Sequence, residues 1–255
     1  MLANSLFIVR DRGTVVEEFD TIKCTSVRHL PVKRLKRPRD MTSSSKFQYL
    51  VISEVDGAML HRVGLDGSTI QWSVEGSPCG LSVTSDSEPH LLATLNDVCK
   101  LLEYNMGGVL VQTISLQELV SPWHTILSGG RYIVAHGFWS NPIRRVCAID
   151  SMGHVVQSYD GSASGSVSVT EQLAFPAYLV VDREGNVIVT YRENKIVLLL
   201  SSTLSDGREL VLGHDIERPD LIPVRICLDE KEEYHFISDS SSTFCDVLVV
   251  QIRSA

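Results

Sequence analysis

The chain has 255 residues, 44% of them hydrophobic and 21% charged, which is the composition of a globular domain and not of a disordered or fibrous chain. Its formal net charge of −8 argues against nucleic acid or an anionic membrane as a default partner, although a local basic patch could override that balance, and DNA is not expected. No apolar run approaches the length of a spanning helix, and the first residues, MLANSLFIVRDRG, show no basic leader, apolar core and cleavage site.

In chain order, LFIVRDRGTVVEEFD predicts two strands, Leu6–Val9 and Thr14–Phe19, around a turn at Gly13. Arg28 to Arg39, RHLPVKRLKRPR, comes next as a basic connection. A unit then starts at Pro38, with strands predicted at Tyr49–Ser53, Met59–Val63 and Thr69–Val74 and a turn at Gly67. Units starting at Pro78 and Pro122 place the matching turn at Gly107–Gly108 and at Gly153. From Pro176 the outline is plainest: strands at Tyr178–Asp182, Val187–Tyr191, Lys195–Leu200 and Glu209–Gly213, with hairpin turns around Gly185 and Gly207. A last unit starts near Pro223 and stops after its third strand.

A leading proline and a late glycine thus return together along the chain. Four short antiparallel strands per unit cannot bury both faces alone and must stack on neighbours. The predicted fold class is all-β: a six-bladed β-propeller of four-stranded antiparallel blades forming one domain over residues 1–255. One blade is left short or is completed by both termini, with Thr14–Phe19 beside Asp246–Ile252. A β-sandwich gives no reason for the landmarks to recur, and no amphipathic helical run supports a βαβ architecture.

The stretch FPAYLVVDREGNVIVTYRENKIVLLL resembles the NHL-repeat propellers found as C-terminal domains of tripartite-motif-like proteins: proline, apolar strand, Asp, Gly turn, second strand, Asn-containing break, third strand. The last unit carries the pattern more faintly. The resemblance implies a non-enzymatic scaffold that binds a protein partner. No RING, B-box cysteine pattern or coiled coil occurs in these residues, so ligase activity is not expected of them. The domain is expected to be monomeric, to need no cofactor and to be cytoplasmic. Its six cysteines, Cys24, Cys79, Cys99, Cys147, Cys227 and Cys245, show no C-x-x-C spacing and read as free thiols.

Two alternatives arise from particular residues. NHL-like domains include RNA binders with a basic face, and Arg28, Lys33, Arg34, Lys36, Arg37 and Arg39 are the cations that could serve one here, unless they are simply a solvated loop. Tyr49, Trp72, Trp123 and Trp139 could stack on bases, although core packing is their plainer role. The wider six-bladed class also includes metal-dependent hydrolases and lyases. Asn96, Asp97, Asn194 and Asp239, near the ends of second strands, are the candidate oxygen ligands, against a role in capping turns. Asp56, Asp66, Asp150, Asp182, Asp206 and Asp229 also fall at turns or strand ends. Seven of the eight histidines, His61, His90, His124, His136, His154, His214 and His235, show no zinc-ligand spacing. No G-x-S-x-G elbow or P-loop occurs, and GSASGSVSVT, Gly161 to Thr170, reads as a surface insertion.

Overall fold

The computed structural model describes residues 5–9, 14–20, 22–23, 25–44, 46–85, 87–137, 145–159, 175–212, 223–229, 234–239 and 247–251. The turn expected at Gly13 and the insertion at Gly161–Thr170 lie outside the described residues. Every regular element among those described is a strand, and none is a helix long and apolar enough to cross a membrane.

The strands form six antiparallel sheets. The first is β1 (Ser5–Val9), β2 (Val15–Asp20) and β3 (Thr25–Pro31). The second is β4 (Pro38–Ser44), β5 (Tyr49–Glu54), β6 (Met59–Gly64) and β7 (Thr69–Ser73). The third is β8 (Pro78–Val83), β9 (His90–Leu95), β10 (Lys100–Asn105) and β11 (Leu110–Ser115). The fourth is β12 (Pro122–Ser128), β13 (Arg131–His136), β14 (Arg145–Ile149) and β15 (Val155–Tyr159). The fifth is β16 (Pro176–Val181), β17 (Val187–Tyr191), β18 (Ile196–Leu200) and β19 (Gly207–Leu212). The last is β20 (Pro223–Asp229), β21 (Tyr234–Asp239) and β22 (Val247–Gln251). This is a five-to-six-bladed β-propeller whose first and last blades carry three strands among the described residues. The chain divides into two compact units, Met1–Ile114 and Ser115–Ala255, with the boundary inside β11.

Each first strand of the later five blades starts with proline, which has no N–H to give to a ladder. The register slips just after it, between Pro38 and Asp40, Pro78 and Gly80, Pro122 and His124, Pro176 and Tyr178, and Pro223 and Arg225. The residue facing the slip on the second strand is Ser53, Thr94, Ala135, Thr190 or Ser238. Two of these hydroxyls take up the displaced backbone: Asp40 N donates to Ser53 Oγ at 3.0 Å, and Tyr178 N to Thr190 Oγ1 at 3.2 Å.

Apolar side chains then fill the spaces between blades. In the first unit, Val16, Leu30, Val32 and Leu35 pack with Leu50, Ile52 and Val63. Tyr49, Val51 and Leu60 pack with Leu81, Leu91, Ala93 and Leu102. In the second unit, Ile133, Ala135 and Val146 meet Leu179, Val189 and Leu198. Ile188 and Val197 meet Ile226.

Three of the late turns hold where they are expected. Gly67, Gly108 and Gly153 have φ of +85°, +85° and +90°, a region that favours glycine. The carbonyl or carboxylate oxygens of Asp66, Asn105 and Asp150 accept N–H groups of the same turns at 2.9–3.0 Å. Asp182 does the same for Glu184 N and Asn186 N at 2.9 and 2.8 Å.

Three expectations need correction. β2 is paired on both sides, by β1 and by β3, and so is not an outer strand lying beside the C-terminal residues. The first part of the basic connection is itself a strand, β3, whose charged residues disguise it. Gly207 is the first residue of β19, and its turn is made instead by Leu204 at φ +53°. Glycine is needed at 207 for packing: a Cβ there would lie 2.5 Å from Tyr159 Oη and 2.9 Å from Leu200 Cδ2. Gly207→Ala is therefore expected to destabilise the protein by about 1–3 kcal/mol through overpacking. A urea unfolding curve measures this, and an unchanged midpoint would show that Tyr159 gives way freely.

Candidate functional site

Among the described residues four imidazoles stand against an acid or a thiol, and their surroundings separate them. His61 Nε2 lies 3.2 Å from Glu54 Oε2, but both side chains are sealed, at 1% and 4% exposure. His136 Nε2 lies 3.1 Å from Cys147 Sγ, which in turn meets Ser158 Oγ at 3.3 Å; His136 and Cys147 are buried. His154 and Asp150 meet at 3.3 Å in open solvent, 66% and 41% exposed, and Asp150 already serves its turn. His90 and Glu103 lie between these extremes: Nδ1 to Oε1 is 2.5 Å, with 29% and 10% exposure.

The sealed His136 shows what burial does to an imidazole. Loss of hydration pushes its pKa down to about 4; nearby Arg145 pushes the same way, against the Val120 carbonyl. Burial also raises the Cys147 thiol, partly offset by the Ser158 hydroxyl and Arg145. Neutral thiol beside neutral imidazole is not an activated nucleophile pair.

The His90–Glu103 pair has the geometry of an oriented base. His90 opens β9, and its backbone is held twice by Thr84: His90 N donates to Thr84 Oγ1 and Thr84 N to His90 O, each at 2.9 Å. Glu103 lies on the next strand, opposite Leu92, and Ser82 is opposite Leu92 on the other side. Side chains alternate between faces along a strand, so Ser82, His90 and Glu103 share one face. With Nδ1–H donating to the carboxylate, Nε2 is left as proton acceptor on a ring that solvent reaches. Ligand spacing along the sequence could not disclose this pair. The signal was the hairpin register: once Asn96–Cys99 is the turn, His90 faces Asn105 and Glu103 becomes its diagonal neighbour.

The six candidate RNA-binding cations are divided by the structure. Arg28, on β3, gives Nε to Glu18 Oε2 at 2.5 Å and Nη1 to Leu65 O at 2.8 Å. Arg37 meets Asp56 at 3.3 Å, both well exposed. Arg39 is exposed on β4. Lys33, Arg34 and Lys36 are exposed in the β3–β4 connection, where buried Val32 and Leu35 anchor the backbone and Lys36 N donates to Glu54 Oε2 at 3.0 Å.

The candidate metal ligands fall in the two units. Asn96 and Asp97 belong to the β9–β10 turn of the first unit, where Asp97 Oδ1 accepts Ser77 N at 2.7 Å. Asn194 stands in the β17–β18 turn of the second unit. The side chain of Asp239, and Trp139 and His214, lie outside the described residues. Among those described, no three His, Cys, Asp or Glu side chains come together as a metal site. Tyr49 is buried, while Trp72 and Trp123 are half-buried, with Trp123 Nε1 donating to Gly137 O at 3.0 Å; these are packing roles. Cys79, Cys99, Cys147 and Cys227 are free thiols.

No family model matches the chain, and no curated protein does. Solved structures do match. A protein of unknown function from Bacteroides caccae is 13% identical with a TM-score of 0.71, over 93% of this chain and 83% of that one. Hydrazine synthase of Kuenenia stuttgartiensis is 13% identical at 0.67, over 98% and 93%. A catalytically inactive virginiamycin B lyase from Staphylococcus aureus, with quinupristin, is 13% identical at 0.67, over 93% and 75%. At such identities the likeness establishes the fold.

These neighbours overturn the expectation of a non-enzymatic, NHL-type protein-binding scaffold, and with it the leaning against an enzyme: lyases and a synthase stand among the matching propellers. The physical reason is local. The Asp–Gly–Asn pattern that suggested NHL repeats is hairpin chemistry, in which Asp182 ties down its own turn, and any propeller with such hairpins can carry it.

The depressed His136 gives a pH prediction. The folded protein binds this proton less readily than the unfolded chain, so the stabilising effect of neutral His136 is present above about pH 6.5 and is lost as pH falls toward 4. At pH 5 the cost is about 2 kcal/mol relative to pH 7. His136→Gln should remove this part of the pH dependence. Urea unfolding at both pH values tests it, and an equal loss of stability in parent and variant would refute it.

Proposed function

We propose that the chain is a lyase-type enzyme working by general-base catalysis, with His90 as the base and Glu103 holding its tautomer. The observation that carries this is the 2.5 Å Nδ1–Oε1 contact on a ring that is still 29% exposed. An elimination needs such a group. Nε2 takes a proton from carbon beside an electron-withdrawing carbonyl, the freed electron pair becomes a C=C bond, and the bond to the leaving heteroatom breaks. The imidazolium, or water, then returns a proton to the leaving group. The fold neighbours support the reaction class: several are lyases, and the inactive virginiamycin B lyase is a histidine-to-alanine form.

Quinupristin, the compound held by that neighbour, is the first probe, with conversion followed by chromatography and mass spectrometry. His90→Gln should lower turnover by about 10²–10⁴-fold, with an unchanged melting temperature. Glu103→Gln should lower it less and shift the acid limb of the pH profile. Turnover by His90→Gln equal to the parent would remove His90 from the chemistry.

A second reading is favoured by the anchored β3–β4 connection. Lys33, Arg34 and Lys36 are held outward on a backbone pinned by Val32 and Leu35, so they could track the phosphates of single-stranded RNA. Three phosphate contacts predict a log–log salt slope of about −2. A combined Lys33→Ser, Arg34→Asn, Lys36→Ser variant should lose oligo(U) binding and keep its fold, since exposed charges add little stability. Equal binding by both proteins, or none at low salt, would end this reading.

A further inference from the structure

The dyad's strands run into two loops, and both loops are gripped by the preceding blade. Lys46 Nζ donates to Ser87 O at 2.6 Å, and Ser87 lies three residues before His90. Tyr49 Oη donates to Met106 O at 2.7 Å and Arg62 Nη1 to the same carbonyl at 3.2 Å, and Met106 lies three residues after Glu103. Three donors, two of them cationic, thus meet backbone carbonyls 41, 57 and 44 residues away. Neither cation faces a carboxylate among the described residues. The donors also brace each other: the Arg62 guanidinium sits 5.1 Å from the Tyr49 ring centre, Phe47 stacks on Tyr49 at 5.9 Å, and Lys46 Nζ lies 5.6 Å from the Phe47 ring centre. Burial raises the Tyr49 pKa, against Arg62, which keeps its hydroxyl a donor.

We infer that Lys46, Tyr49 and Arg62 are positioning residues, which fix the relative placement of His90 and Glu103 by holding the loops at Ser87 and Met106. The inference rests on the reading of His90 as base. His90 is the first residue of its strand and faces Asn105, the last residue of β10. The ladder and Thr84 hold the His90 backbone, and the grips at Ser87 and Met106 add a brace from the loop side. A displacement of about 1 Å at a reacting group can cost 10²-fold in rate. A grip from a separate blade, braced by its own aromatic stack, suppresses such a displacement without touching substrate.

The test uses the full chain with Tyr49→Phe and Lys46→Met, singly and together, and Lys46→Arg as the conservative control. The Tyr49 change removes only a hydroxyl, so the fold should persist, with a melting temperature near the parent's. Nuclear magnetic resonance reads the His90 ring tautomer; hydrogen exchange reads the amides of residues 87–90 and 105–109. The double variant should change the His90 ring tautomer and speed exchange in both loops about 10-fold. Where a substrate is in hand, kcat should fall about 3–10-fold with KM unchanged. Lys46→Arg should restore the parent behaviour.

An unmoved His90 ring and unchanged loop exchange in the double variant would overturn the inference, whatever the activity. A ring that moves as expected, in a protein whose turnover ignores His90→Gln, upholds the grip and refutes the base. The two failures are therefore distinguishable.

Discussion

The proline that opens the first strand of each later blade constrains most of the architecture. It withholds an N–H from the ladder, so the strand cannot pair in register at its first step. A bulge absorbs the mismatch: one residue drops out of the pairing, and the ladder resumes two places after the proline. Asp40, Gly80, His124, Tyr178 and Arg225 occupy this position. In the first unit it is used to join blades: buried Asp40 accepts Met41 N at 2.7 Å and Leu81 N, from the next blade's first strand, at 2.6 Å. In the second unit the same position brings the rings of His124 and Tyr178 to 3.9 Å. One covalent property of proline thus sets both where a strand begins and how its blade meets the next.

Much of this architecture was legible in the sequence because it depends on local chemistry. Glycine at positive φ, and Asp or Asn bonding its own turn, are properties of a few adjacent residues, so the turns at Gly67, Gly108, Gly153 and Gly185 could be read directly. The proline landmarks were legible for the same reason. Features set by distant partners could not be read. β3, with its sequence TSVRHLP, looks like a charged loop; it is a strand because β2 is there to pair with it. Gly207 looks like a turn residue, but its smallness answers to Tyr159, far away in sequence.

The candidate site was less legible than the fold, for a related reason. A catalytic pair across a hairpin has no fixed spacing, because the spacing depends on turn length and register. His90 and Glu103 are 13 residues apart. At that fixed spacing, a turn that took one more residue would put the two side chains on opposite faces. The six cations of the Arg28–Arg39 segment show the opposite failure. They are conspicuous in sequence, yet the structure neutralises Arg28 with Glu18 and Arg37 with Asp56. Local density of charge did not reveal which charges already had partners.

The register also explains why several histidines are paired while one stands out. Glu54 faces Pro38 and pairs with His61 on the third strand; at the equivalent places one finds His136, facing Pro122, and Cys147. In the blades starting at Pro78 and Pro176 the same two places hold Leu95 with Leu102 and Tyr191 with Leu198, all buried. This position can therefore accept either apolar packing or a polar pair, and it is sealed in each case. Burial at His136 drives the ring neutral and keeps it so at ordinary pH, which suits a structural contact and not proton transfer. His90 belongs to neither class. It sits at the opposite end of its strand, beside a loop, where a ring can keep a carboxylate partner and still meet solvent. Propeller stacking buries the middle of each strand and leaves chemistry to the strand ends and their loops, and the His90–Glu103 pair is placed where that division allows a base to work.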